Sequence, residues 1–225
     1  MSPVAVPQRY VHRVVARGGR PHSVDRLDGP RTALVVVDMQ LYFMGTGQPS
    51  ECAEARAIVP TVNRLADATR RAGGPVVWIQ TQSGRESLTF WPTYYQRTTP
   101  ERAELRVEGL APGGSGFDLW PELDVQSADE TVTKTRYSAF IQGSSRLEEV
   151  LRGRGIDTIL ICGVTASTCC ESTARDGMML NFRTVMISDA CAQDDDYLLE
   201  STLAKFYLGF GDVQSAAEVI AMLLP

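Results

Sequence analysis

Histidine is scarce in this chain. Only two histidines, His12 and His22, occur in 225 residues, and both precede the first predicted strand. A Cys–His dyad, a Ser–His–Asp triad and a histidine-rich zinc site each need imidazole within the body of a domain. Those site types are therefore excluded, and we predict neither a metal centre nor an organic cofactor.

The chain also lacks an excess of positive charge and lacks long apolar runs. It has 22 Lys and Arg against 27 Asp and Glu, for a net charge of -5, which disfavours binding to a phosphate backbone or an anionic membrane. No apolar run approaches the roughly 20 residues of a membrane span, and the first ten residues lack the apolar core of a signal peptide. We expect a cytoplasmic protein that acts on a small molecule and binds neither nucleic acid nor membranes.

Cysteine is present in an odd number and without regular spacing. The five cysteines are Cys52, Cys162, Cys169, Cys170 and Cys191. A chain of this length builds its own core, so these features argue against a disulfide framework. Cys162 and Cys191 are interpreted as small buried residues.

Apolar runs and helix-forming stretches alternate from residue 32 onward. Strands are predicted at 33–37, 76–79, 130–133, 157–162 and 183–187. Helices are predicted at 54–72, 144–154, 168–180, 195–208 and 214–223. The alternation predicts an α/β fold of the Rossmann-like type: a three-layer, doubly wound, mostly parallel sheet of about six strands with helices on both faces. Such sheets bind ligands beyond the carboxyl ends of their strands, near the switch in strand order.

Two segments lie outside the alternating pattern. Residues 1–30 are rich in Pro, Gly and Arg and are predicted to form an irregular arm on the surface or on another subunit. The remainder, 31–225, is predicted to be a single domain. Residues 81–128 form a long polar and aromatic stretch, and loops of this length are functional or carry short helices. The sequence leaves open whether 81–128 is a lid or a subunit interface.

The segment from Gly163 to Asp176 places a thiol where a buried strand meets a helix. Cys169 falls near the helix N-terminus, where unpaired N–H groups and the helix dipole favour a thiolate. The pattern predicts that the pKa of this thiol is lowered toward neutrality. Cys170 competes for the same role, because successive helix positions point about 100° apart and only one faces the crevice.

Asp38 and Lys134 fall at the same edge of the predicted sheet, each at the end of a strand. A carboxylate near a thiol can take its proton as general base. An ammonium there can hold the carboxylate ionised and stabilise developing negative charge. Taken singly, Asp38 is equally a cap and Lys134 a solvated side chain, but with Cys169 they predict a nucleophile with its base.

Three motifs resemble those of the isochorismatase-like cysteine hydrolases, over roughly residues 30–192. They are Val35-Val-Val-Asp38-Met-Gln40-Leu-Tyr-Phe43, Lys134-Thr-Arg-Tyr-Ser138-Ala-Phe140 and the segment from Gly163 to Asp176, with a weaker match at Val185–Ala190. The resemblance implies that Asp38, Lys134 and Cys169 are catalytic. The family spacing, six residues after the glycine, selects Cys169 over Cys170.

The resemblance also has implications for the loop before Cys169. It implies an oxyanion hole formed by the backbone N–H groups of Thr165 and Cys169, and a cis peptide between Val164 and Thr165. Ala166 stands where the family usually has threonine. The hydroxyl contact of that threonine is either missing here or replaced by Thr165 or Thr168.

The stretch from Lys134 to Asp189 is most similar to the branch of N-carbamoylsarcosine amidases and ureidoacrylate amidohydrolases. The Asp-x-His metal motif of the family's nicotinamidases is missing, and its vinyl-ether-cleaving isochorismatases do not need the thiol. The resemblance implies a cysteine-dependent hydrolase that cleaves a C–N bond of a small amide, carbamoyl, ureido or lactam substrate through a thioester or thiocarbamate. The alternatives are a biosynthetic vinyl-ether hydrolase and a non-catalytic small-molecule-binding protein. A homo-oligomer, dimer or tetramer, is also implied.

Side chains around the mouth of the site must select the substrate. The candidates are Gln40, Phe43, Trp78, Trp91, Tyr94, Tyr95 and Tyr137. Phe43 and Tyr137 are favoured because they lie within the motifs, whereas Gln40 binds an amide or carboxylate or else serves as a cap. Arg97 and Arg136 are either partners for a substrate carboxylate or surface residues.

Overall fold

Six strands form one sheet in the computed structural model, which describes residues 6–224. The strands are β1 (Thr32–Val37), β2 (Val76–Thr81), β3 (Glu130–Lys134), β4 (Thr158–Val164), β5 (Arg183–Ala192) and β6 (Asp212–Gln214). Their order is β3-β2-β1-β4-β5-β6, and each neighbouring pair is parallel. The predicted doubly wound α/β sheet of about six strands is confirmed. The short strand β6 had no predicted counterpart.

Helices cover both faces of this sheet. They are α1 (Gln8–Gly18), α2 (Leu41–Met44), α3 (Glu54–Arg71), α4 (Ser87–Phe90), α5 (Pro92–Tyr95), α6 (Pro100–Gly109), α7 (Leu147–Gly153), α8 (Glu171–Met179), α9 (Asp196–Gly209) and α10 (Ala216–Leu223). Side chains of α3 and α10 pack on one face, and those of α7, α8 and α9 pack on the other. No helix among residues 6–224 is both long and apolar enough to cross a membrane.

Strand β1 lies at the centre of the sheet, and its side chains alternate between the two cores. Leu34 and Val36 join the core under α3, whereas Val35 and Val37 join the core on the opposite face. Every residue of β1 is buried, as expected for a parallel strand covered on both sides. The strand order reverses between β1 and β4, so the crevice between their carboxyl ends is the expected ligand site.

The N-terminal arm differs from its prediction, because residues 8–18 form the helix α1. Its apolar residues Tyr10, Val11 and Val14 recur at helical spacing and pack against the core beside α9. The prediction of an irregular arm was based on the content of Pro, Gly and Arg and overlooked this short apolar stripe. After the helix, the Asp212 carboxylate accepts hydrogen bonds from the backbone N–H groups of residues 23 and 24, which tie the arm to β6.

Candidate active site

The structure brings Asp38, Lys134 and Cys169 together at the predicted sheet edge. Lys134 Nζ lies 2.8 Å from Asp38 Oδ2 and 3.4 Å from Cys169 Sγ. Asp38 and Lys134 are fully buried, and Cys169 is 7% exposed. Three groups that are far apart in the chain therefore share one small volume at the switch point of the sheet.

Thr81 links the carboxylate to the ammonium and was not foreseen. Its Oγ1 donates to Asp38 Oδ1 at 2.9 Å and accepts from Lys134 Nζ at 2.7 Å. Because β2 lies between β1 and β3, Lys134 must reach Asp38 across the end of β2, where Thr81 stands. The predicted strand stopped at residue 79, whereas a strand ending at 81 would have placed this hydroxyl at the functional edge.

A close approach between β1 and β4 sets the position of Asp38. Gly163 pairs with Val37, and a Cβ on Gly163 would lie 2.1 Å from the Val37 carbonyl oxygen. The backbone of Gly163 also has φ +117°, a region that L side chains rarely adopt. Glycine thus permits the contact that brings the end of β1 beside the turn carrying Cys169.

The turn carrying Cys169 leaves β4 through a cis peptide between Val164 and Thr165, as predicted. It then forms one π-helical turn, Ala166–Cys170, before α8 begins, where a continuous α-helix from 168 was expected. The N–H groups of Thr168 and Cys170 both donate to the Thr165 carbonyl at 3.2 Å. Cys169, and not Cys170, lies beside Lys134.

Gln193 anchors this turn and is a second residue missed from the sequence. Its Oε1 accepts from the Ser167 N–H at 3.1 Å and from the Ser167 hydroxyl at 2.7 Å. Neither Thr165 nor Thr168 makes a side-chain hydrogen bond within residues 6–224, so neither hydroxyl takes up the role left open by Ala166. Gln193 directly follows β5 at the functional edge, which is the signal that would have identified it.

The ionisation of Cys169 is set mainly by its burial. Burial is the largest effect and raises the pKa of the thiol, the Asp38 carboxylate raises it further, and the Lys134 ammonium lowers it, to give a pKa of about 12. The prediction of a thiol pKa near neutrality is therefore wrong. A helix N-terminus does not offset the combination of desolvation and an adjacent carboxylate. The resting group is a thiol rather than a thiolate.

The carboxylate is placed to accept the proton of this thiol. Asp38 Oδ2 has no hydrogen-bond donor among the described residues, because Lys134 Nζ approaches it outside hydrogen-bond geometry. Burial lowers the pKa of Lys134, but the charge of Asp38 is the chief effect that raises it, and the net pKa lies above its usual value. The ammonium thus stays charged and neutralises Asp38.

We predict slow alkylation of Cys169 by iodoacetamide near pH 8, with a rate that is still rising above pH 10. A pKa of about 12 leaves roughly one thiol in 10⁴ ionised at pH 8. Asp38→Asn removes a charge that raises the pKa of the thiol, so this variant should react faster at the same pH. Mass spectrometry of folded protein measures both rates, with Cys169→Ala as the control for labelling of the other cysteines. Rapid modification of the wild-type protein at pH 7 would contradict this ionisation state.

Three of the predicted substrate-binding residues form an aromatic wall. The rings of Trp91 and Tyr94 have centroids 4.8 Å apart, and those of Trp91 and Tyr137 are 5.0 Å apart. Together with Arg97 they line a cleft of about 340 Å³. Burial raises the pKa of Tyr137. Tyr137 directly follows Arg136, whose carbonyl accepts a hydrogen bond from Lys134 Nζ at 3.0 Å, so the aromatic wall adjoins the Lys134 ammonium.

Three other predicted substrate-binding residues are structural. Trp78 is fully buried in the core under α3, and its Nε1 donates to Asp129 at 2.8 Å. The Gln40 side-chain oxygen accepts a hydrogen bond from the Thr81 N–H, and its amide nitrogen donates to the carbonyls of Thr81 and Phe117. Phe43 packs in the same core as Trp78. Their role in substrate binding stays a prediction, and the structure gives each side chain packing or hydrogen bonds within the protein, because proximity in a motif does not determine which way a side chain points.

The remaining candidates also have structural partners. The Tyr95 hydroxyl contacts the hydroxyls of Ser83 and Ser87. Arg136 donates to the carbonyls of Phe90 and Thr135. Segment 81–128 carries the short helices α4, α5 and α6, which was one of the two predictions for a loop of this length. No cluster of three or more His, Cys, Asp or Glu side chains suited to a metal ion occurs in the part of the chain described.

Comparison with known proteins gives consistent matches. The family model described as "Isochorismatase domain" matches residues 32–218. The chain is 31% identical to the ureidoacrylate amidohydrolase RutB of Pseudomonas savastanoi pv. phaseolicola, over 99% of this chain and 93% of that protein.

Solved structures agree with the sequence matches. A cysteine hydrolase from Pseudomonas syringae pv. phaseolicola superposes with a TM-score of 0.79 at 27% identity, covering 88% of this chain and 94% of that one. The N-carbamoylsarcosine amidase of Thermoplasma acidophilum superposes with a TM-score of 0.66 at 26% identity, covering 83% and 96%. The chain therefore belongs to the isochorismatase domain family.

Proposed function

We propose that this protein is a cysteine-dependent amidohydrolase that cleaves a C–N bond of a small carbamoyl, ureido or amide substrate. One observation carries the proposal: a buried ammonium lies 2.8 Å from a carboxylate oxygen and 3.4 Å from the sulfur of a buried thiol. Nucleophilic catalysis requires this combination of a nucleophile, a base within reach and a charge that orients the base. Relatives named as ureidoacrylate amidohydrolase and N-carbamoylsarcosine amidase support it.

The first chemical step forms a covalent intermediate. Because the thiol is protonated at rest, its proton passes to Asp38 Oδ2 as Sγ attacks the substrate carbonyl carbon. The carbonyl oxygen gains negative charge in the tetrahedral intermediate. We assign its stabilisation to the backbone N–H groups of Thr165 and Cys169, at the turn that Gln193 anchors.

Two further steps release the amine and then regenerate the free enzyme. The leaving nitrogen takes the proton from Asp38 as the C–N bond breaks, which leaves a thioester or thiocarbamate on Cys169. Water then gives a proton to Asp38 and attacks the same carbon, and Sγ leaves with that proton. Lys134 keeps its charge throughout and limits the change in the electrostatic potential at Asp38.

Ammonia or amine release from a substrate panel tests this function. The panel contains ureidoacrylate, N-carbamoyl amino acids, simple amides and lactams, with ring opening of the lactams followed by an amine probe. We expect turnover of at least one carbamoyl or ureido compound. Hydrolysis of isochorismate with no release from any C–N substrate would favour the vinyl-ether hydrolase, and binding without turnover would favour a non-catalytic protein.

Three broader features stay predictions. A single hydrolase domain spanning 31–225, a cytoplasmic location and assembly into a homo-oligomer are all consistent with the proposed enzyme. Among them, assembly into an oligomer bears most directly on the site. Segment 81–128 exposes the apolar side chains of Leu88 and Phe90 beside the aromatic wall, where a second subunit would cover them.

A further inference from the structure

Arg106, on helix α6, is a buried cation without an ion-pair partner among the described residues. Arg106 is 7% exposed, and its Nε has no hydrogen-bond acceptor within residues 6–224. No ion pair between described residues involves it. The Nε end of this guanidinium is thus withdrawn from water, and no carboxylate of the described residues is paired with it.

The guanidinium lies at the aromatic wall of the candidate site. Its Cζ is 4.7 Å from the centroid of the Tyr94 ring, and Tyr94 contacts both Trp91 and Tyr137. Burial dominates the pKa of the Cys169 thiol, but the charge of Arg106 is among the effects that lower it. Arg106 therefore lies within electrostatic reach of the nucleophile.

Other arginines near the site lack this combination of burial and unused donors. Arg136 donates to the carbonyls of Phe90 and Thr135, and Arg97 is exposed. Arg102, one helical turn before Arg106, is exposed and donates to the Pro49 carbonyl. Buried charges in proteins are ordinarily paired, so an unpaired one beside a cleft indicates that its counter-ion arrives with a ligand.

We propose that Arg106 binds the carboxylate of the substrate, so that the enzyme acts on ureido acids and N-carbamoyl amino acids in preference to neutral amides. This inference rests on the proposed function, because it places the scissile carbonyl at Cys169 and the carboxylate at α6. The planar guanidinium offers donors in a fork that matches a carboxylate, and such charge-assisted pairs are stronger than neutral hydrogen bonds. Arg106 is thus a specificity-determining residue.

A matched pair of substrates separates this role from a general structural one. N-carbamoylglycine and its methyl ester share the carbamoyl group and differ in the negative charge. The wild-type enzyme should prefer the acid, and Arg106→Gln should lower kcat/KM for the acid about 100-fold, mostly through KM, while changing that for the ester less than about 3-fold. Arg106→Lys should retain part of the preference, and Arg102→Gln should behave as wild type.

Two measurements that do not depend on turnover keep the inference separate from the proposed function. Calorimetry with Cys169→Ala should detect binding of N-carbamoylglycine, and adding Arg106→Gln should weaken it to a similar extent. Arg106→Met should raise the Tm of the ligand-free protein, because it removes an unpaired buried charge. Binding that depends on Arg106 without any turnover would overturn the proposed function and leave the carboxylate site standing.

Other outcomes would overturn the carboxylate site itself. Equal losses for the acid and the ester in Arg106→Gln would indicate a structural role for Arg106. A wild-type enzyme that does not discriminate between the two substrates would also refute it, even where hydrolysis confirms the amidohydrolase.

Discussion

Cys169→Ser and Cys169→Ala should lower kcat for C–N hydrolysis by about 10⁴-fold or more, with the fold intact. The nucleophile forms the covalent intermediate, so its loss removes the reaction path instead of weakening one interaction along it. Serine is not a substitute here, because its hydroxyl is harder to deprotonate than a thiol whose pKa is already about 12. Steady-state kinetics on the substrate identified from the panel gives the magnitude, and near-ultraviolet circular dichroism checks the fold.

Cys170→Ala is the matched control for this experiment. Cys170 is the next residue in the same turn and is fully buried, but the thiol that accepts a hydrogen bond from Lys134 Nζ is that of Cys169. We expect it to retain kcat within about 10-fold while losing some stability from the cavity left in the core. Mass spectrometry of the wild-type enzyme during turnover should detect an adduct on Cys169. Retained hydrolysis in Cys169→Ala, or an adduct on Cys170, would refute the assignment of the nucleophile.

Breaking the ion pair between Asp38 and Lys134 should strongly destabilise the fold. Asp38→Asn leaves Lys134 as an uncompensated charge in a fully buried site, and Lys134→Met does the same to Asp38. Each single change should cost about 3–5 kcal/mol of unfolding free energy. The double variant should recover much of that loss, because it leaves neither charge unpaired, yet it should remain inactive. Urea unfolding measures the stabilities and completes a double-mutant cycle.

An exposed ion pair supplies the control for this cycle. Arg20 and Asp25 lie 2.6 Å apart, with more than half of each side chain exposed. Asp25→Asn should therefore change the unfolding free energy by less than about 1 kcal/mol. If the double variant at Asp38 and Lys134 were as unstable as the sum of the two single variants, the two charges would not be energetically coupled. Recovery of activity in the double variant would contradict the role of Asp38 as the base.

The aromatic stretch 81–128 illustrates how far sequence patterns extend. Its composition predicted a functional segment or short helices, and it carries helix α6 and two of the three residues of the aromatic wall, Trp91 and Tyr94. Its pattern did not single out Arg106, which has the same side-chain chemistry as Arg97 and Arg102 nearby. What distinguishes Arg106 is its burial, which arises from packing with residues distant in the chain.

By itself the sequence determined the fold class and the edge at which the chemistry is placed. Apolar runs define strands locally, and the residues that end them, Asp38 and Lys134, fall at one edge because parallel strands all end there. Only the tertiary structure decided the protonation of Cys169, the link through Thr81 and the burial of Trp78. These properties depend on distances between remote residues and on the exclusion of water, and no local pattern of residues encodes either.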